Sequence, residues 1–367
     1  MSAASAVRSA LINLDSNVQT DVVDSYKYAA SVVSSVVSNG YLGMVKTIPQ
    51  MYRFLYNRAE RATEVGPFRT WVHQFTAMNL RPFLEEERPD VVVCTHAFPC
   101  GVMAEYKRQF ADAPPVVGIV TDFAVHAFWI HKNIDGYAVA TDDMRNTLVS
   151  RGVLEERVIV SGIPVDSGFA PVSEDRDVLR ERLDLPLDRK IVLMMAGGLG
   201  MGPLETMMKS LSGLDDPICA VVIAGRNRRL ERRVLDAAKN THYPLRVLHF
   251  ISNVPEYMHA SDVLLTKPGG LTSAEALVAN LPMVLFKPLP GQEERNTRYL
   301  VERHVALRAK TAQDLTKTMR DLLKSPERLE RMRLAMREFA RPDAAKHVAE
   351  LITRLVAGRT SKEVLSV

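Results

Sequence analysis

The stretch TKPGGLTSAEAL, residues 266–277, decides how the chain is read. An apolar run, DVLLT (262–266), enters Lys267-Pro268-Gly269-Gly270, and a helix opens at once with Thr272, Ser273 and Glu275. Strand, glycine turn and helix in immediate succession form the unit of a parallel α/β sheet. Glycines at a helix start let backbone N–H groups approach a diphosphate closely, and the helix dipole favours the anion there. A carboxylate about one turn in suits a ribose diol, and it also suits a plain capping role at the positive end of the helix.

The same alternation extends both ways. Strands are expected at Ile191–Ala196, Cys219–Ala224, Leu245–Phe250, Val263–Thr266, Met283–Phe286 and Val305–Arg308, each followed by a helix-length segment. The first half carries VVVCT (91–95), VVGIVT (116–121), YAVAT (137–141) and VIVSG (158–162) with helical stretches between. The fold class is therefore α/β with two Rossmann-like domains. IPVDSGFAPVSE (163–174) has two prolines, one glycine and no helical or strand period, and reads as a linker. The expected organisation is 1–162, 163–174 as linker, 175–341, and a C-terminal helix and tail over 342–367, with GRTSKEVLSV (358–367) frayed. Ser2 to Leu14 reads as a helix without the strand and glycine turn that should feed it, so the first strand of the N-terminal domain is expected to be missing.

Composition narrows the function class. The 367 residues are 47% hydrophobic and 25% charged, enough apolar material for two cores. A formal charge of +4 at this length, with no concentrated basic patch, argues against a nucleic-acid partner. Three cysteines, Cys94, Cys100 and Cys219, stand at no metal-ligand spacing and fit a reducing cytoplasm. No apolar run is long enough to span a bilayer.

Open α/β sheets bind ligands at the carboxyl ends of their strands. Four such ends in the second half are suggestive. MMAGGLGMGPLE (194–205) places Gly197, Gly198, Gly200 and Gly202 before a helix, as a phosphate turn or as an ordinary tight turn. It lacks the Lys-Ser/Thr of a P-loop. VVIAGRNRRL (221–230) offers Arg226 and Asn227 for a base or phosphate, or as a helix cap. The opening stretch offers Gly269, Gly270 and Glu275. FKPLPGQEERN (286–296) sets Gln292 beside Glu293, a pair suited to vicinal sugar hydroxyls or unremarkable in a helix's first turn. Phosphate turn, base-holding turn, diol carboxylate and hydroxyl pair along one sheet edge are what a nucleotide-diphosphate-sugar requires.

TKPGGLTSAEAL followed by KPLPGQEERN, together with VTDFAVHAFWIHKNIDGYAVAT (120–141), resembles the processive diacylglycerol glucosyltransferases and monogalactosyldiacylglycerol synthases of glycosyltransferase family 28. The resemblance covers nearly the whole chain. It implies the GT-B fold, an N-terminal acceptor domain and a C-terminal UDP-sugar domain facing a cleft, no cofactor and no obligatory metal. Carried over by motif, Glu275 would bind the ribose; Gly269, Gly270 and Thr272, with the Gly197-Gly198 turn, would face the diphosphate. Gln292 and Glu293 would hold the sugar, and Arg226, Asn227 and the segment from Phe250 to Val254 would lie near the uracil. The family's first domain opens with a Gly-x-Gly-His turn directly before the helix that here begins the chain; its absence is read as a late start codon or a true truncation.

The implied reaction is inverting transfer of glucose or galactose from a UDP-sugar to diacylglycerol. Asp122 and His126, with His96 behind them, are the candidates for base or acceptor-site groups; Asp122 could instead cap a turn, and His126 and His131 could be packed imidazoles. Residues 41 to 71 interleave apolar side chains with cations, as an interfacial segment on anionic lipid or a core-packed amphipathic helix would. Arg53 and Phe54 represent that contact; Trp129 is grouped with them, although packing suits it better. A peripheral location at the inner face of the cell membrane follows. Two alternatives stand beside this: a UDP-N-acetylglucosamine transferase acting on a lipid II precursor or another lipid, and an inactive UDP-sugar-binding remnant.

Overall fold

The computed structural model describes residues 2–28, 67–197 and 202–364. Its contacts divide the chain into two units. The N-terminal unit holds Ser2–Pro164 and the chain from Asp343 onward, with Pro290–Gln292 grouped with it; the C-terminal unit holds Val165–Leu289 and Glu293–Pro342.

The N-terminal unit runs α1 (Ala3–Leu14), α2 (Pro67–Glu87), β1 (Val92–Cys94), α3 (Ala97–Gln109), β2 (Val116–Ile119), β3 (Gly136–Val139), α4 (Asp142–Ser150) and β4 (Val158–Val160). Among the described residues its strands are parallel in the order β1-β2-β3-β4. Ser2 caps α1, its Oγ accepting from Ser5 N–H at 3.3 Å. Val7 of that helix joins Val117, Ile119 and Ala138 of the sheet and Val348, Leu351 and Ile352 of the C-terminal helix in one core.

The C-terminal unit runs α5 (Arg176–Arg182), β5 (Lys190–Met195), α6 (Leu204–Leu211), β6 (Ile218–Ile223), α7 (Arg228–Ala238), β7 (Leu245–Leu248), α8 (Val254–Ala260), β8 (Val263–Thr266), α9 (Gly270–Val278), β9 (Met283–Phe286), α10 (Gln292–Glu302), β10 (Ala306–Ala309), α11 (Ala312–Leu323) and α12 (Pro326–Phe339). Strands such as VLLT and MVLF are buried at every position, the near-continuous apolar run of a parallel sheet covered on both faces. The order is β10-β9-β8-β5-β6-β7, all parallel. Successive strands run outward one way from β5 and then the other way from β8, so the chain reverses between these two neighbours. That reversal is the topological switch point of a doubly wound sheet, outside whose carboxyl ends ligands bind.

Strand boundaries agree with the sequence expectations at Val263–Thr266 and Met283–Phe286 and differ elsewhere by at most two residues. Most of 163–174 is built into the C-terminal unit rather than spanning freely: Val165 and Phe169 are buried, and Asp166 Oδ1 accepts from Gly168 N–H at 2.9 Å. The C-terminal helix, α13 (Ala344–Val364), follows a break around Pro342, whose ring disfavours helix at the residue before it. It continues to Val364, so the expected fraying from residue 358 is not what the backbone adopts.

Candidate nucleotide-sugar site

The register places four turns side by side. Met195 is the Cα partner of Ile223 on one side and of Thr266 on the other, and Thr266 is paired with Leu285. The turns after β6, β5, β8 and β9 therefore share one sheet edge, as expected, with the first two exchanged relative to chain order. Thr266, fully buried, donates its Oγ1 hydrogen to the Met195 carbonyl at 3.0 Å, joining the strands at the switch point.

After β5, Gly197 has φ +73, a left-handed conformation that glycine adopts without strain. A Cβ there would stand 3.0 Å from Lys267 Cε. Gly198 and Gly200 lie outside the described residues. At Gly202 a Cβ would meet the Ala196 backbone at 2.8 Å, so the chain returns against the strand it has just left.

After β8, Gly269 caps α9 with an ordinary φ of −71, and no described residue lies within 4 Å of the position a Cβ would take. The fold does not require glycine here; the approach of something to the helix start would. One expectation is corrected: the Gly269 N–H is not open, because it donates to the Lys267 carbonyl at 2.8 Å in a tight turn. The donors a ligand could meet are those of Gly270, Leu271 and Thr272, the first helical N–H groups, which lack intrahelical acceptors. Ser273, in the next position, is fully buried, and its Oγ has no partner among the described residues.

Glu275 is half-buried on the same helix, and among the described residues its carboxylate has no hydrogen-bond or ion-pair partner. Burial, with repulsion from Asp166 adding to it, pushes its pKa up to about 7. An unpaired, partly desolvated carboxylate is a standing cost to the fold, and such groups concentrate where a ligand completes them.

After β6, Asn227 caps α7, its Oδ1 accepting from Leu230 N–H at 3.1 Å, so the capping alternative holds for this residue. Arg226 lies over the Phe250 ring, 4.3 Å from its centroid, which joins the two segments expected near a base. Beside them a cavity of about 410 Å³ is lined by Ser252, Asn253 and Asp166 among others, but by none of Gly197, Gly269, Gly270 or Glu275.

After β9, α10 begins at Gln292, which is half-buried. Glu293 is engaged already: its Oε1 meets Lys267 Nζ at 2.6 Å and its Oε2 accepts from Leu289 N–H at 2.8 Å. Asn296, fully buried, donates from Nδ2 to the Pro268 carbonyl at 3.0 Å. Neither Lys267 nor Asn296 was assigned a part from sequence. A lysine directly after a buried strand was the available signal, since a half-desolvated cation needs a partner.

In the N-terminal unit, His96 follows β1 and Asp122 follows β2, adjacent strands paired through Cys94 and Gly118. His96 is exposed and caps α3, its Nδ1 accepting from Phe98 N–H at 3.3 Å. Asp122 is half-buried. His126 is only 5% exposed; it caps the short helical turn Ala127–Trp129 through Phe128 N–H and meets the Phe128 ring edge-on at 5.4 Å. Trp129 is 2% exposed, and its carbonyl accepts from Tyr137 Oη at 2.6 Å. Its assignment to an acceptor or membrane contact is corrected: it is a core residue. Arg53 and Phe54, with the interfacial segment as far as residue 66, lie outside the described residues.

Two units, each built on a parallel sheet with helices, with this constellation on the second, give the GT-B fold. Solved structures of that likeness include Acinetobacter baumannii MurG, with a TM-score of 0.56 at 16% identity, covering 77% of this chain and 79% of that one. A UDP-GlcNAc 2-epimerase from Neisseria meningitidis, bound to UDP-GlcNAc, gives 0.59 at 17% identity, covering 77% and 82%. At these identities the likeness is one of fold.

In sequence, the family description of monogalactosyldiacylglycerol (MGDG) synthase matches residues 1–165, and that of glycosyl transferases group 1 matches residues 175–339. Processive diacylglycerol beta-glucosyltransferases of Bacillus cereus (strain AH187) and Bacillus anthracis (strain A0248) are each 30% identical over 332 residues, 90% of this chain and 84% of theirs. The chain belongs to the family of processive diacylglycerol glucosyltransferases and monogalactosyldiacylglycerol synthases.

Proposed function

We propose that the chain transfers a hexose, glucose or galactose, from a UDP-sugar to diacylglycerol with inversion at the anomeric carbon. The carrying observation is the unpaired Glu275 carboxylate on α9, beside the switch point and the open helix start at Gly270. Relatives bearing the diacylglycerol glucosyltransferase name support the acceptor.

In this reading the diphosphate lies against the N–H groups of Gly270 to Thr272, with the Gly197 turn beside it, and Glu275 accepts from the ribose hydroxyls. Gln292 and Glu293 meet the hexose, and Arg226 and Asn227 with the segment after β7 flank the uracil. As the acceptor oxygen bonds to the anomeric carbon, the bond to the diphosphate breaks, and the leaving oxygen's charge gathers at the helix start. Asp122 is assigned the acceptor proton, with His96 and His126 in supporting places. His96 and His126 each already accept a backbone hydrogen at Nδ1, from Phe98 and Phe128.

Contact with a bilayer surface is part of the proposal. Trp71, Phe75 and Met78 stand at i, i+4 and i+7 on α2 and are exposed by 53%, 39% and 51%, an apolar stripe suited to resting in an interface. No helix among the described residues is long and apolar enough to cross a membrane. A peripheral place on the inner, anionic leaflet accords with both.

The test is transfer to liposomes of diacylglycerol and anionic lipid, with UDP-glucose, UDP-galactose and UDP-N-acetylglucosamine supplied separately and lipids read by mass spectrometry. A hexosyl-diacylglycerol from a glucose or galactose donor is expected. Product only from UDP-N-acetylglucosamine, or from none, would overturn the reading.

A further inference from the structure

We infer that Lys267 is a positioning residue for the donor hexose, acting through Glu293, and that it locks the turns after β5, β8 and β9 into one unit. This rests on the proposed UDP-hexose reading and deepens it.

Three contacts meet at this side chain. Its ammonium pairs with Glu293 Oε1 at 2.6 Å, and both side chains are nearly buried, 13% and 12% exposed. Its Cε runs past Gly197, where even a methyl group would stand at 3.0 Å. Its carbonyl accepts the Gly269 N–H at 2.8 Å. Asn296, one turn along α10 from Glu293, returns a second strut to Pro268. Lys267 thus touches the phosphate-side turn with its stem, the start of α9 with its backbone and the hexose-side carboxylate with its head.

The pairing has a chemical consequence. Each Glu293 oxygen accepts one hydrogen, from Lys267 or from Leu289 N–H, and each keeps a further lone pair. Those remaining acceptors are fixed in direction by the two bonds, and can take hydrogens from neighbouring sugar hydroxyls. Lys267 acts on the sugar through Glu293 and need not touch it.

The test compares UDP with UDP-glucose and UDP-galactose by calorimetry, so that the hexose's added affinity is read apart from the nucleotide's. Wild type, Lys267→Met, Lys267→Arg, Glu293→Gln and the Lys267→Met/Glu293→Gln double variant are titrated. The double variant leaves no unpaired buried charge, and so guards against a Lys267→Met protein that fails to fold. Wild type should bind one UDP-hexose more tightly than UDP. Glu293→Gln and the double variant should both lose that increment, by about ten-fold or more, the worth of a charge-assisted hydrogen bond. They should agree with each other, UDP affinity should stay within about two-fold, and Lys267→Arg should restore part of the increment.

A further loss when Lys267→Met is added to Glu293→Gln would overturn the inference by showing direct contact with the ligand. An equal loss of UDP affinity would overturn it by showing a merely structural role, and so would a wild type without a hexose increment. A wild type that binds UDP-hexose with the increment yet glycosylates no diacylglycerol would instead fail the acceptor reading and leave this inference standing.

Discussion

Thr266 and Met195 are Cα partners on adjacent parallel strands, and the Thr266 hydroxyl closes the pair by donating to the Met195 carbonyl at 3.0 Å. The bond lies one residue from Lys267 on one strand and two from Gly197 on the other, so it sets the spacing of the two turns the nucleotide is proposed to meet. Thr266→Val keeps the shape and removes the donor from a fully buried site. A stability loss of about 1 kcal/mol is expected in urea unfolding, with a several-fold loss of UDP affinity.

Glu275 carries a pH dependence whose sign follows from burial. Its folded pKa, raised to about 7 from the usual 4.5, means that the folded chain holds a proton the unfolded chain has released between those values. The associated stability is complete below 4.5 and is lost as pH rises through about 7. Chemical denaturation between pH 5 and pH 8 should show this decline, and Glu275→Gln should flatten it.

Ligand affinity should run the other way. Ribose hydroxyls donate best to the ionised carboxylate, so UDP affinity should rise about ten-fold between pH 6 and pH 8 and the dependence should vanish in Glu275→Gln. Calorimetry in buffers of different ionisation enthalpy should also show proton release on binding near neutral pH.

The two glycine turns should answer to alanine differently. Gly197→Ala meets a left-handed backbone and the Lys267 stem, and should cost about 1–2 kcal/mol of stability. Gly269→Ala meets an ordinary φ and open space, and should stay within about 0.5 kcal/mol. It should nevertheless weaken UDP binding, since the methyl group occupies the approach to the helix start.

Asp122→Asn should lower transfer by about a hundred-fold or more while UDP affinity is unchanged, because the residue belongs to the other unit from the nucleotide turns. Parallel transfer assays and calorimetry separate the two effects.

The strands and the strand-glycine-helix turns were legible in the sequence because parallel strands buried on both faces read as apolar runs, and glycine marks their ends. That the four turns share one sheet edge was legible too; the order along it, with β8 beside β5, is fixed by the pairing of the strands. The state of the individual groups was not. TKPGG does not say that the Gly269 N–H is spent on Lys267, and QEERN does not say that Glu293 already holds a lysine 26 residues away. These are long-range pairings, fixed by the register of two strands and the entry of a helix. Trp129, grouped with lipid contacts although packing suited it better, lies in the core, where its carbonyl accepts from Tyr137, eight residues on.

The most direct measurement is the affinity of wild type and Glu275→Ala for UDP and for 2′-deoxy-UDP and 3′-deoxy-UDP. If Glu275 holds the ribose, wild type should lose about ten-fold for at least one deoxy ligand, and Glu275→Ala should bind all three with equal, weakened affinity. A Glu275→Ala protein that still discriminates against the deoxy ligands as wild type does would contradict the placement of the nucleotide on this helix.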